Sequence, residues 1–149
     1  MKAISIIPPV YLFVAIAIMI LLHFLLPGVK IFGLPWDLLG AIPLALGIVV
    51  NLAADRSFKN HNISVKPLEG TAALITGGVF RVSRHPMYLG MVLILLGIAV
   101  LLGSLTPYVV VFAFAFLMDI VFIRFEEAKL EETFGEAYLE YKKKVRRWI

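Results

Sequence analysis

The sequence predicts an all-α integral membrane protein with about four membrane-spanning helices arranged as two hairpins. Of its 149 residues, 61% are hydrophobic and 16% are charged, and the mean hydropathy is +0.96. These values lie well outside the balance of soluble domains. Stretches without Asp, Glu, Lys or Arg cover residues 3–29, 38–54 and 85–118. We therefore expect one domain, residues 1–149, with the lipid bilayer as its surroundings.

The length of each apolar stretch predicts how many membrane spans it forms. A helix crosses a bilayer with about 20 apolar residues, in a range of roughly 17 to 25. The first stretch predicts a span at about residues 6–26, and the second a shorter span at 38–54. The third is too long for one helix and contains the turn-forming sequence GSLTP, so it predicts spans at 86–102 and 107–124.

The first apolar stretch follows Met1 and Lys2 directly, as the core of a secretory signal also would. It is longer than such a core, and the LLPG sequence at its end is not a small-residue cleavage pattern. We therefore expect it to be a structural helix.

The basic residues predict the orientation of the spans. Five lie in the middle loop, residues 55–85, and seven lie between residue 124 and the last residue. The connection between the first two spans carries Lys30 alone, and that between the last two carries no charge. Since positive residues favour the cytoplasmic side, the N-terminus, the loop and the tail, residues 125–149, are expected there. The net charge of +4 then reflects topology, and no nucleic-acid partner is expected.

The first polar segment of a candidate site is RHPMYLG at residues 84–90. Arg84 and His85 come directly before Pro86, which suits the first turn of a helix. The free amides and the positive dipole end of a helix start attract anions, so this segment suits a carboxylate or phosphate. Anchoring of the span by lipid headgroups explains the two basic residues equally well.

The second polar segment follows the fourth span, at the same predicted face. On a regular helix, Asp119 and Glu126 share a face, whereas Arg124 and Glu127 are close enough to pair. Glu127, Arg124 and Asp119 are the candidate catalytic residues. The alternatives are a surface ion pair for Glu127 and an interhelical hydrogen bond for Asp119.

The tail is predicted to form an amphipathic helix that lies on the membrane. Its apolar residues recur at helical spacing, at Leu130, Phe134, Tyr138, Tyr141, Val145 and Trp148. The basic run KKKVRR would meet anionic headgroups, although a solvated charge run is the simpler alternative. Gly135 is the position at which this helix would break.

Several motifs are absent from the sequence. It contains no GxGxxG, P-loop or HExxH motif, no His-rich cluster and no cysteine, so no metal site is expected. A soluble-type nucleotide-binding fold is excluded as well. Any cofactor is expected to bind between the membrane helices and the cytoplasmic loop.

Two blocks of the sequence resemble the isoprenylcysteine carboxyl methyltransferase and phospholipid methyltransferase superfamily of membrane enzymes. The first is LITGGVF at 74–80 with RHPMYLG at 84–90, and the second is the Glu126–Glu127 pair with FGEAYLEYKKKV at 134–145. The resemblance implies S-adenosylmethionine held between the cytoplasmic loop and the last two spans. It also implies a lipophilic substrate that enters from the bilayer.

The resemblance implies cofactor-binding roles for residues in both blocks. These are Ala72, Ala73, Leu74, Ile75, Phe80, Arg84, His85, Pro86, Met87, Tyr88 and Glu126. By their chemistry, Glu126 would accept the ammonium of the cofactor, while Arg84 and His85 would hold its carboxylate. Phe80 or Tyr88 would pack against the adenine or face the sulfonium. The substrate-binding arginine of the family aligns with Phe122, two positions before Arg124.

The function expected from these features is S-adenosylmethionine-dependent methyl transfer to a lipophilic or small acceptor at the cytoplasmic face. A carboxylate or thiolate acceptor arrives ionised, whereas an amine would pass its proton to Glu127 or Asp119. Two alternatives stay open: a membrane NADPH-dependent reductase of the sterol-reductase type, and a non-enzymatic membrane scaffold or lipid-binding protein. Neither the acceptor nor the oligomeric state can be read from the sequence.

Overall fold

The structure is a computed structural model that describes residues 8–61 and 73–149. The regular elements of these residues are helices, which confirms the all-α prediction. The α-helices are α1 (Pro8–Leu25), α2 (Ala41–Asn60), α3 (Pro86–Leu102), α4 (Thr106–Met118), α5 (Arg124–Phe134) and α6 (Glu136–Lys144). Short 3₁₀ turns cover Trp36–Gly40 and Gly78–Arg81, and a π-helical segment, Asp119–Ile123, joins α4 to α5.

Within the described residues, three helical stretches are long and apolar enough to cross a membrane. They are Pro8–Leu25, Trp36–Asn60 and Thr106–Phe134. Helix α3 is equally apolar but has 17 residues. Many large apolar side chains on these helices are exposed, among them Phe13, Phe24 and Phe112. Because lipid, and not water, solvates such surfaces, these helices are those of a multi-pass membrane protein.

Helix α2 continues past Ala54, where the second span was predicted to end. The Lys59 ammonium lies 2.6 Å from the Asp55 carboxylate one turn earlier, an arrangement that favours helix in a polar stretch. The chain therefore leaves the helix only at Asn60.

The chain divides into two compact units, of which the first comprises Met1–Ile48 and Met91–Phe116. In this unit, the turn at Gly40 approaches α3 at Gly97 so closely that side chains would not fit between them. A Cβ atom built on Gly97 would lie 2.6 Å from the Gly40 carbonyl oxygen. A second contact joins His23 Nδ1 to the Ser104 hydroxyl at 2.8 Å.

The second unit comprises Val49–Gly90 and Leu117–Ile149. Its apolar core consists of Ala54, Ile75, Phe80, Tyr138 and Tyr141. The Tyr141 hydroxyl donates a 2.6 Å hydrogen bond to the Phe80 carbonyl. The tail therefore does not present its whole apolar face to the membrane as predicted, because two of its aromatic residues are buried in the protein. It also forms two helices, α5 and α6, separated by Gly135 at φ +49.

Candidate active site

The loop before α3 places two basic side chains inside the second unit. The side chains of Arg84 and His85 are 8% and 4% exposed. The Ser83 hydroxyl accepts a hydrogen bond from the His85 amide at 3.1 Å, and α3 begins at the buried Pro86. This burial argues against lipid headgroups as the partners of the two basic residues.

Two neighbouring carboxylates on α5 enclose His85 from both sides of its ring. His85 Nε2 lies 3.4 Å from a Glu127 oxygen, and Nδ1 lies 3.5 Å from a Glu126 oxygen. The Tyr88 hydroxyl donates a 2.6 Å hydrogen bond to Glu126, and Arg84 Nη1 lies 3.1 Å from Glu127. The structure thus brings together the two polar segments that the sequence predicted to form a site.

The carboxylates determine the charge of His85. Burial by itself lowers the pKa of a histidine, but hydrogen bonds and attraction from Glu126 and Glu127 outweigh it and raise the pKa of His85 above 6.5. The two carboxylates therefore favour the protonated, cationic form of His85. Burial together with the nearby Glu127 charge raises the pKa of Tyr138 to about 12, so its hydroxyl is neutral beside Arg84.

Arg84 and Glu126 carry polar atoms that remain available to bind a ligand. Arg84 Nε is buried and has no hydrogen-bond partner in the described residues, although a buried donor normally has one. The Glu126 side chain is 20% exposed, against 5% for Glu127. A small ligand with one anionic and one cationic group suits this donor and this acceptor.

The Glu127 carboxylate is buried and is bound by side chains of the protein itself, which leaves it little access to a substrate. Besides Arg84 and His85, it binds Arg147, whose Nε and Nη2 lie 3.1 Å and 2.7 Å from its two oxygens. Sequence reasoning missed this role of Arg147 and assigned the residue to the headgroup-binding run. No local pattern indicates the pair, because its members are 20 residues apart and meet only when the tail folds back.

The predicted pairing of Arg124 with Glu127 is wrong. Arg124 Nε instead lies 3.2 Å from Asp119, five residues earlier, and its side chain is 63% exposed. The reason is the π-helical segment Asp119–Ile123, in which residues five apart are neighbours. The segment also changes which carboxylates lie near each other. Asp119 and Glu127 both bind Arg147. Glu126 instead contacts Tyr88 and His85.

The remaining predicted cofactor-binding residues lie near the apolar core of the second unit. Ile75 and Phe80 belong to that core, and Ala73, Leu74 and Met87 pack against it. Ala72 lies outside the described residues. Among the described residues, no group of three or more His, Cys, Asp or Glu side chains is arranged to hold a metal ion.

Comparison with known proteins shows the family to which this chain is similar. The phospholipid methyltransferase family model matches residues 36–137. Protein-S-isoprenylcysteine O-methyltransferase B of Arabidopsis thaliana is 35% identical over 117 residues, 76% of this chain and 55% of that protein. Protein-S-isoprenylcysteine O-methyltransferase of Saccharomyces cerevisiae is 36% identical over 135 residues, 82% of this chain and 54% of that protein. The chain thus spans about half the length of these relatives.

A shorter relative matches over its whole length. An uncharacterized protein of Haemophilus influenzae is 41% identical over 63 residues, which are 42% of this chain and 100% of that protein. No solved structure matches the chain. The family match covers both α3 and the carboxylates of α5, which together form the site. By that match, the chain belongs to the phospholipid methyltransferase family, as the resemblance of its two sequence blocks predicted.

Proposed function

We propose that this protein is a membrane methyltransferase that uses S-adenosylmethionine as its methyl donor. One observation carries the proposal: three side chains converge at the start of α3. They are the buried His85 ring, Arg84, whose Nε has no hydrogen-bond partner among the described residues, and the partly exposed Glu126 carboxylate. The family to which the chain belongs supports methyl transfer as the reaction.

The residues present fit the chemistry of this donor. Its amino-acid end carries an ammonium and a carboxylate, and its sulfonium supplies an electrophilic methyl group when it is bound. Glu126 would accept hydrogen bonds from the ammonium, while Arg84 Nε would donate to the carboxylate. Tyr88, which donates to Glu126 at 2.6 Å, would hold the orientation of that carboxylate.

The protein's contribution to the reaction is alignment and exclusion of water. Methyl transfer from a sulfonium is an in-line displacement, for which orientation supplies much of the acceleration. Glu127 is held by Arg84, His85 and Arg147, so it does not serve as a proton acceptor. This favours an acceptor that arrives ionised. The names of the relatives point the same way, to a lipophilic carboxylate whose oxygen receives the methyl group.

We also propose four spans, with α3 as the span between the loop and α4. The N-terminus, the middle loop and the tail would then be cytoplasmic, as the distribution of basic residues favours. The start of α3 and the carboxylates of α5 would lie at that face, where a lipophilic acceptor in the inner leaflet could reach them.

The test is isothermal titration calorimetry on purified protein in detergent. We expect the wild type to bind S-adenosylmethionine, and Glu126→Gln and His85→Ala to weaken binding by about tenfold or more. Glu132→Gln is the matched control, since Glu132 is an exposed carboxylate on the same helix, and it should bind normally.

Unchanged affinity in both site variants would overturn the assignment of these residues. Wild-type protein that binds NADPH but not S-adenosylmethionine would support the reductase alternative. Binding of neither nucleotide would support the scaffold alternative.

A further inference from the structure

The segment after α6 folds back onto the loop that carries the site. Helix α6 ends at Lys144, and Val145 is extended at φ −123 and ψ 130. The Arg84 amide then donates to the Arg146 carbonyl, and the Ser83 hydroxyl donates to the Arg147 carbonyl, both at 3.1 Å. Two hydrogen bonds therefore fix the backbone at 146–147 to the residues that position Arg84 and His85.

The Arg147 side chain joins two carboxylates that come from different helical segments. Its Nε and Nη2 bind both oxygens of Glu127, a forked geometry that only a guanidinium provides. Its Nη1 donates to Asp119 in the π-helical segment at 3.1 Å. Arg147 therefore links α5, the π-helical segment and the loop before α3.

Arg147 also decides how much of Arg84 is left for a ligand. The buried Glu127 carboxylate needs cationic partners, because a buried charge without them is strongly unfavourable. With Arg147 on both its oxygens, Glu127 contacts Arg84 through Nη1, and Arg84 Nε has no hydrogen-bond partner in the part of the chain that the structure describes. Without Arg147, Glu127 would draw the Arg84 guanidinium and the His85 ring more completely to itself.

We propose that Arg147 is a positioning residue for the methyl-donor site: by satisfying Glu127, it keeps Arg84 available to the carboxylate of the donor. The inference rests on the proposed function for the identity of the ligand. It assigns to the basic tail a role inside the protein, in addition to any contact with lipid headgroups.

The first test compares three variants by calorimetry with S-adenosylmethionine. We expect Arg147→Gln to bind about tenfold more weakly, and Arg147→Lys, which keeps the charge but not the fork, to lie between it and wild type. Arg146→Gln is the matched control, because it removes the same charge from an exposed side chain and keeps the backbone carbonyl that accepts from the Arg84 amide. Its affinity should equal that of the wild type.

The second test follows the His85 ring by NMR titration, which requires no methyl donor. Glu126, Glu127 and Tyr88 face this ring. Arg147→Gln removes a cation that competes for Glu127, so the pKa of His85 should rise further. It should stay unchanged in Arg146→Gln. A merely structural role would instead return the pKa of His85 towards an ordinary value, because the site would open to water.

Several outcomes would overturn the role of Arg147: an unchanged His85 titration in Arg147→Gln, a fall in its pKa, or equal effects in Arg146→Gln. If Arg147→Gln does not fold, Arg147→Lys decides, since wild-type affinity and titration in that variant would exclude a need for the fork. If the wild type binds no S-adenosylmethionine, the proposed function fails, whereas the His85 titration still tests Arg147.

Discussion

His85 is the residue on which the site's charge balance depends. Its ring stands between Glu126 and Glu127, and its side chain is almost wholly buried. Each carboxylate also has a partner of its own, Tyr88 for Glu126 and Arg147 for Glu127. Because these contacts favour the protonated form of His85, they should stabilise the fold of this region in addition to any contact of His85 with a ligand.

The stability contributed by His85 should depend on pH. Because its folded pKa is raised above 6.5, the contribution is fully present below that value and is lost as pH rises through the folded pKa. We expect the difference in Tm between wild type and His85→Gln to be largest below pH 6.5 and to shrink in alkaline buffer. Thermal unfolding in detergent across this pH range measures it.

His61→Gln provides the control for that titration. His61 is exposed, directly follows α2 and contacts the Ser57 carbonyl, so its replacement controls for the loss of a histidine outside the site. A Tm difference between wild type and His85→Gln that stayed constant or grew with pH would show that the imidazolium is not stabilised by the carboxylates.

At the scale of elements, α3 is held in the first unit by an approach that only glycines permit. A Cβ atom on Gly97 would lie 2.6 Å from both the Gly40 carbonyl oxygen and the Leu44 amide nitrogen. Small residues at such crossings let backbones pack closely where no hydrophobic effect drives helices together. Because the nearest atoms belong to the backbone, they cannot rotate away from an added methyl group at Gly97 as a flexible side chain could.

We therefore expect Gly97→Ala to destabilise the protein by about 1–3 kcal/mol, as other overpacked interiors are destabilised. The measurement is the Tm in detergent, or resistance to a denaturing detergent. Gly77→Ala is the control, because Gly77 has an ordinary φ of −98 and no heavy atom of the described residues would lie within 4 Å of its Cβ atom. Equal stability of the two variants would mean that the helices separate easily at this crossing.

At the scale of the whole molecule, the proposed topology predicts the side of the membrane on which each lysine lies. With the four proposed spans, Lys30 and Lys144 would lie on opposite sides of the membrane, and Lys2 would lie on the same side as Lys144. The chain has no cysteine, so single cysteines can be introduced without background labelling.

In intact cells, a membrane-impermeant maleimide should label Lys30→Cys, while Lys2→Cys and Lys144→Cys should react only after permeabilisation. Labelling of all three in intact cells, or of Lys2→Cys and Lys144→Cys from opposite sides, would contradict the proposed orientation and span count.

The sequence alone determined the helical class, the approximate helices, the two polar segments and the family. Apolar runs and turn residues act over short distances along the chain, so the ends of α3 and the start of α4 follow from them. The meeting of Arg84 and His85 with Glu126 and Glu127 was also predictable, because both segments were expected at one membrane face.

Only the tertiary structure decided which charged groups pair. The π-helical segment changed which face of the helix the residues after Asp119 occupy, and no local sequence pattern predicts a π turn. Arg147 meets Glu127 because the tail folds back and buries Tyr138 and Tyr141 beside Phe80. Such ion pairs form when distant segments of the chain pack together, because a charge buried there is unfavourable without an oppositely charged partner. A periodic pattern records which face of a helix is apolar, but not which distant residue will cover it.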